Sequence, residues 1–173
     1  MIAYHAVTDR PLEAGQIITF DADHVSGVFL RVREKLTLMR DIHSNPEKYR
    51  ARPLGYHTAI ALRELALEEV RAKMYPDYPS RMACLYASET IEGAEKWANF
   101  FLKIGRPVYA VARVESLGRT FVGDASKCFE GGVDRKENLR LAEKYWASNG
   151  ENAAVPEILI GDSVKILELV RSF

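Results

Sequence analysis

The run Val108-Tyr109-Ala110-Val111-Ala112-Arg113-Val114 is the clearest strand signal in the chain. Its residues are mostly β-branched, aromatic or small, so it must bury itself in a sheet. The elements around it decide what kind of sheet that is. Ile2 to Thr8 is short, apolar and bounded by Asp-Arg-Pro, as a buried strand is, and Gln16 to Phe20 reads as a second strand that pairs nearby. Apolar residues from Val28 to Ile42 recur near a helical period within His24–His43. A second helix is expected from about Thr58 to Met74. Ile60, Leu62, Leu65, Ala66, Val70 and Met74 form its apolar stripe against Arg63, Glu64, Glu68, Glu69 and Arg71. Tyr-Pro-Asp-Tyr-Pro-Ser at 75–80 ends it, because proline breaks the hydrogen-bond ladder.

MACLYAS at 82–88 reads as a compact strand, followed by a helix from about Ile91 to Ile104 that Thr90 caps. Beyond 108–114 the spacing gives a loop-rich stretch through Gly118, Gly123, Gly131 and Gly132, then a helix at about 136–147. SNGENAAVP at 148–156 is a polar loop. EILI at 157–160, the turn Gly161-Asp162 and VKILELV at 164–170 read as a terminal hairpin. Nothing repeats a βαβ rhythm, and GxGxxG and GxxxxGK[ST] are both missing. The expectation is an α+β domain with mostly antiparallel sheets, not a doubly wound nucleotide fold.

Lysine plus arginine equals aspartate plus glutamate, 24 each, so net charge supplies no bulk attraction to nucleic acid or an anionic membrane. Hydrophobic residues make up 47% of 173 residues, enough for one domain with a real core, taken as 1–173. No stretch reaches the roughly 18 apolar residues of a membrane helix. Met1-Ile2-Ala3-Tyr4-His5 lacks the basic start and apolar core of a signal peptide. Cys84 and Cys128 sit in apolar runs without metal-ligand spacing and read as reduced, buried thiols. A cytoplasmic protein without a metal is expected; signal-independent export as an effector would leave no mark here.

Three places offer chemistry. His5 interrupts the first strand with an ionisable ring, which elsewhere is often just a packed histidine bonded to backbone. In LYASETIEGAEKWANFF, Tyr86 ends a strand and Trp97 follows eleven residues later on the next helix. That turn can bring both rings to one side, where they flank a flat ligand or simply join the core. Glu157 opens an apolar strand directly after a polar loop, placed either to meet a ligand or to be solvated at the strand start.

In this order, the histidine, the tyrosine with its following aromatic and the late glutamate resemble the His-Tyr-Glu class of the ADP-ribosyltransferase superfamily. YHAVTDRPLEAGQII and LYASETIEGAEKWA look like the small bacterial rifampin ADP-ribosyltransferases. Pro79-Ser80-Arg81 before the tyrosine strand is similar to an uncharacterised bacterial family of unknown function placed in that superfamily. The short motifs span the chain from residue 4 to about 170.

The resemblance implies a split core of two antiparallel sheets with flanking helices, and a helical insert at about 23–80. It implies NAD as substrate and ADP-ribose passed to an unknown acceptor (protein, nucleic acid, small molecule or water). His5 would bond the adenosine-side ribose, with the backbone beside it, at Ala6, gripping the nicotinamide amide. Tyr86 would stack on nicotinamide, Ser88 would match a small hydroxyl residue, and Trp97 would line the opposite wall. Glu157 would hold the nicotinamide ribose and stabilise the breaking bond. Two departures stand out. Ala6 replaces the family's usual glycine. Val155 replaces the acid or glutamine that arginine-modifying members carry two residues before the glutamate. The alternative is an inactive nucleotide- or protein-binding module of the same fold.

Overall fold

The computed structural model describes residues 1–21, 25–148 and 150–173. Its elements, in chain order, are β1 (Ile2–Val7), β2 (Ile17–Thr19), α1 (Gly27–Ser44), α2 (Pro46–Arg50), α3 (Tyr56–Met74), β3 (Leu85–Ala87), α4 (Ile91–Lys103), β4 (Ala110–Ser116), β5 (Thr120–Asp124), α5 (Arg135–Trp146), β6 (Pro156–Ile160) and β7 (Ser163–Ser172). The strands form two antiparallel sheets, ordered β1-β4-β7-β2 and β3-β6-β5. The fold is α+β, as the absence of a βαβ rhythm requires. Ala22, Asp23 and His24, where the first helix and the insert were expected to begin, and Asn149 of the polar loop lie outside the described residues.

Two-residue alternation assigns each strand's faces. Ala3 and Val7 of β1, Leu85 and Ala87 of β3, Ile158 and Ile160 of β6, and Val164 and Ile166 of β7 meet in one cluster between the sheets. The opposite face of the smaller sheet carries Tyr86, Phe121 and Leu159, which pack against Leu67 of α3 and Tyr145 and Trp146 of α5. Trp146 is 1% exposed and donates its indole N–H to the Leu67 carbonyl at 2.8 Å. Burying an aromatic side chain of this kind contributes about 1.5–3 kcal/mol. The opposite face of the larger sheet sets Ala6 and Val111 against Ala94 and Ala98 of α4.

Several expectations need correction. β6 and β7 do not form a hairpin: β6 pairs with β3 and β5, whereas β7 pairs with β4 and β2. Gly161-Asp162 is instead a corner between sheets. Asp162 takes φ +58° and accepts from the Arg119 N–H and guanidinium, which offsets the cost of a left-handed non-glycine residue. The 16–20 strand pairs with the last strand rather than nearby (Ile17 opposite Lys165). The stretch read as loop contains β5, whose Gly123 hid its pattern. MACLYAS shortens to the three residues of β3. Glu64, assigned to the polar face of α3, is 1% exposed. By contrast, Thr90 caps α4 as its sequence indicates, accepting from the Gly93 N–H at 3.1 Å.

Candidate functional site

β1 and β3 are both sheet edges, and one bridge joins them: Tyr4 and Ser88 exchange N–H···O bonds of 2.8 Å each. Where the edges splay apart from this bridge, a cleft of about 610 Å³ opens, roofed in part by the start of α1. A volume in the 300–1,000 Å³ range suits a small organic ligand. His5, Ala6, Tyr86, Ser88, Trp97 and Glu157 all line it.

The neighbours of His5 on one face of β1, Ala3 and Val7, point between the sheets, and its Nδ1 lies 2.7 Å from the Tyr86 carbonyl oxygen. A carbonyl only accepts, so Nδ1 carries the proton and Nε2 is the acceptor of a neutral ring. Burial lowers the pKa of His5 below its usual 6.5, against the raising effect of that bond and of Asp9. The ring is therefore neutral at pH 7 and fixed in one tautomer. Bonding to backbone is what a packed histidine does; lining a cleft is what a ligand-binding one does. This residue does both.

Antiparallel pairing alternates the direction of each residue's N–H and C=O. Tyr4 directs its pair away from β4, to Ser88, and Val7 accepts from Tyr109 on the β4 side. By the same alternation, the polar groups of Ala6 face away from β4, on the edge that opens beside β3. The alanine side chain points towards α4 instead, so replacing the expected glycine adds its methyl on the helix side.

Tyr86 sits opposite Leu159, and Glu157 is two residues before Leu159 on the same face of β6. That register is why a residue from mid-chain meets one near the C-terminus. The Tyr86 hydroxyl donates to the Arg81 carbonyl at 2.9 Å, and the Arg81 guanidinium lies 5.1 Å from the ring centroid. Burial drives the phenol pKa well above 10, so it remains a donor. Trp97 lies across the cleft on α4, stacked on Phe101 at 6.0 Å. The two rings expected to flank a ligand thus belong to separate clusters, one beside α5 and one beside α4.

Glu157 is 6% exposed and anchors a buried charge network. Its Oε1 accepts from Arg81 at 2.8 Å and from the Tyr145 hydroxyl at 2.7 Å. Arg81 also donates through Nε to Glu64 at 2.9 Å, and Arg63 donates to the other Glu64 oxygen at 2.8 Å. Two arginines and two carboxylates balance. Burial by itself would raise the pKa of Glu64, but the guanidiniums of Arg81 and Arg63 outweigh it and hold the acid below its usual range. Gly131 lets the chain come against α3 beside this network: a Cβ there would lie 2.2 Å from the Ala59 carbonyl oxygen and 2.6 Å from the Arg63 nitrogen.

Sequence reasoning missed Glu64, Arg63 and Tyr145 as members of the site. Ile60, Glu64 and Leu67 follow one another at helical spacing, a second buried stripe that reads as polar only because an acid sits in it. Arg81 lay in a noticed tripeptide without a role. Val155 is 39% exposed, with its N–H given to Asp124 at 3.1 Å. Cys84 is buried and Cys128 half-buried; both are free thiols. Among the described residues no helix is long and apolar enough to cross a membrane, and no group of three His, Cys, Asp or Glu side chains gathers as a metal site.

A family model described as "Protein of unknown function (DUF2441)" matches residues 3–172. The chain belongs to the DUF2441 family. That match takes in both cleft-lining edges and the whole Glu64–Arg81–Glu157 network of this DUF2441 chain. No curated protein matches the chain.

Proposed function

We propose that this cleft binds NAD and breaks its nicotinamide glycosidic bond, passing ADP-ribose to an acceptor or to water. One observation carries the reading: His5, Tyr86, Trp97 and Glu157, spread over 153 positions of sequence, line one cleft between two sheet edges. The ADP-ribosyltransferase resemblance of the same residues supports it, as does the split two-sheet architecture.

The chemistry fits a sparse set of groups. In NAD the nicotinamide ring is cationic. When the C1′–N bond breaks, its electron pair leaves with the ring, which departs neutral and needs no proton from an acid. The acceptor then bonds C1′ and loses its proton to solvent. What remains for the protein is alignment and negative charge beside the developing oxocarbenium. Tyr86 stacks on the ring while Trp97 lines the opposite wall, the outward polar groups of Ala6 take its amide, neutral His5 offers Nε2 to a ribose hydroxyl, and Glu157 supplies the carboxylate. Val155 cannot orient a guanidinium, which argues against an arginine side chain as the acceptor.

A second reading has one observation of its own. Glu157 Oε1 is already shared by Arg81 and Tyr145, which offsets the field that the carboxylate offers a cation. A binding module without turnover would carry such a pair unchanged. Incubating the purified protein with NAD separates the readings: released nicotinamide supports the enzyme, and NAD bound but intact supports the module.

A further inference from the structure

Among the described residues, the mouth of the cleft carries an excess of positive charge. Deep in the site, Glu64 and Glu157 neutralise Arg63 and Arg81. At the mouth, Arg106 pairs with Asp9 at 2.5 Å, leaving Arg10 and Arg31. Neither has a side-chain hydrogen bond or ion pair among the described residues. Arg31 is half-buried in the first turns of α1, where its stem can cover apolar surface while its head stays open to a ligand.

The geometry gathers these groups. A Cβ built on Gly27 would lie 4.0 Å from Asp9 Oδ2, so the turn after β1 packs against the first turn of α1. Arg31 is four residues beyond Gly27 and shares its helix face. The charges of Asp9 and Arg106 also act on His5, so this mouth adjoins the histidine end of the cleft. Among the described residues, three arginines face one carboxylate here, beside apolar walls.

We propose that Arg10 and Arg31 form an anion-binding mouth, and that the cleft's ligand carries a phosphate or diphosphate group next to an apolar ring system. The inference deepens the nucleotide reading and rests on it for the choice of cleft. It also gives the first insert helix a role: α1 supplies a ligand-binding cation. Guanidinium groups suit phosphate because their paired N–H donors match its oxygens.

Calorimetric titration with inorganic pyrophosphate at low ionic strength tests the mouth, using wild type, R10Q, R31Q and R33Q. Arg33 is an exposed α1 residue that does not line the cleft; it lies over the Phe29 ring, and its substitution removes the same charge. We expect one bound pyrophosphate per chain and a loss of about tenfold or more in R10Q and R31Q. R33Q should stay within about twofold, its exposed charge being screened. No pyrophosphate binding, or equal losses in all three variants, overturns the proposal. Titration with NAD keeps the two readings apart. NAD affinity unchanged in R10Q and R31Q sinks the anion site and leaves the nucleotide reading standing. Pyrophosphate held by the arginines in a protein that ignores NAD does the reverse.

Discussion

The Arg81 guanidinium and the Glu157 carboxylate meet at 2.8 Å in the wall of the cleft, with side-chain exposures of 7% and 8%. The same guanidinium stands 4.9 Å from the Tyr145 ring and 5.1 Å from the Tyr86 ring, so the aromatics hold it while two acids neutralise it. Such a cluster fixes an arrangement more than it adds stability. Removing one partner is costly, because the other charges remain buried.

Arg81→Met should therefore destabilise the fold by about 3–5 kcal/mol. Urea unfolding followed by tryptophan fluorescence measures it, Trp146 being packed beside Tyr145. A loss within the roughly 0.5 kcal/mol of an ordinary surface change would mean that Glu64 and Glu157 are not left buried and unpaired when Arg81 is removed.

His5 makes stability depend on pH, and the sign follows from its lowered pKa. The unfolded chain takes up a proton near 6.5 that the folded ring refuses, so unfolding is favoured as pH drops below that value. The His5 contribution should be flat above pH 7 and fall between 6.5 and the depressed folded pKa. His43, also lowered by burial, adds a slope of the same sign. His5→Asn should flatten much of the dependence in melting curves between pH 5 and 7. An unchanged curve would show that His5 is not buried neutral.

The thiols should be inert in the folded state. Burial pushes the Cys84 pKa far up and that of Cys128 up to about 11, so little thiolate exists at pH 8. A disulfide-exchange reagent should label neither at a measurable rate until denaturant is added, after which it should label both. Rapid labelling of native Cys128 would contradict the burial.

Tyr86 separates a ligand contact from a core residue. Tyr86→Ala should weaken NAD binding by about tenfold, while Tyr86→Phe, which keeps the ring, should come within a few-fold of the parent. Calorimetry decides it. Equal affinity in all three proteins would leave Tyr86 as packing alone.

How much of this was legible beforehand differs by level. The four longer helices were readable because apolar spacing and end signals agree: Thr90 opens α4, and Tyr75-Pro76 closes α3. The five-residue α2, too short to show a period and without a buried residue, was not anticipated. The two-sheet split was harder. Gly161-Asp162 has hairpin chemistry, and only the packing of Ile158 and Ile160 against Val164 and Ile166 shows that the chain changes sheet there. β5 lay hidden because Gly123 breaks its alternation. His5, Tyr86, Trp97 and Glu157 could be named singly, since each interrupts an apolar run or follows a strand. Their balancing partners could not, because charge neutralisation is a tertiary property. Glu64 reads as solvated until Arg81, 17 positions away, is seen to reach it.

The most direct test of the central claim is the rate of nicotinamide release from NAD by the parent and by Glu157→Gln, compared where melting curves show both folded. Glutamine keeps the shape and removes the charge. The account predicts release by the parent and a loss of at least about a hundredfold in the variant, equivalent to about 2.7 kcal/mol of barrier. Equal rates in the two proteins would contradict it.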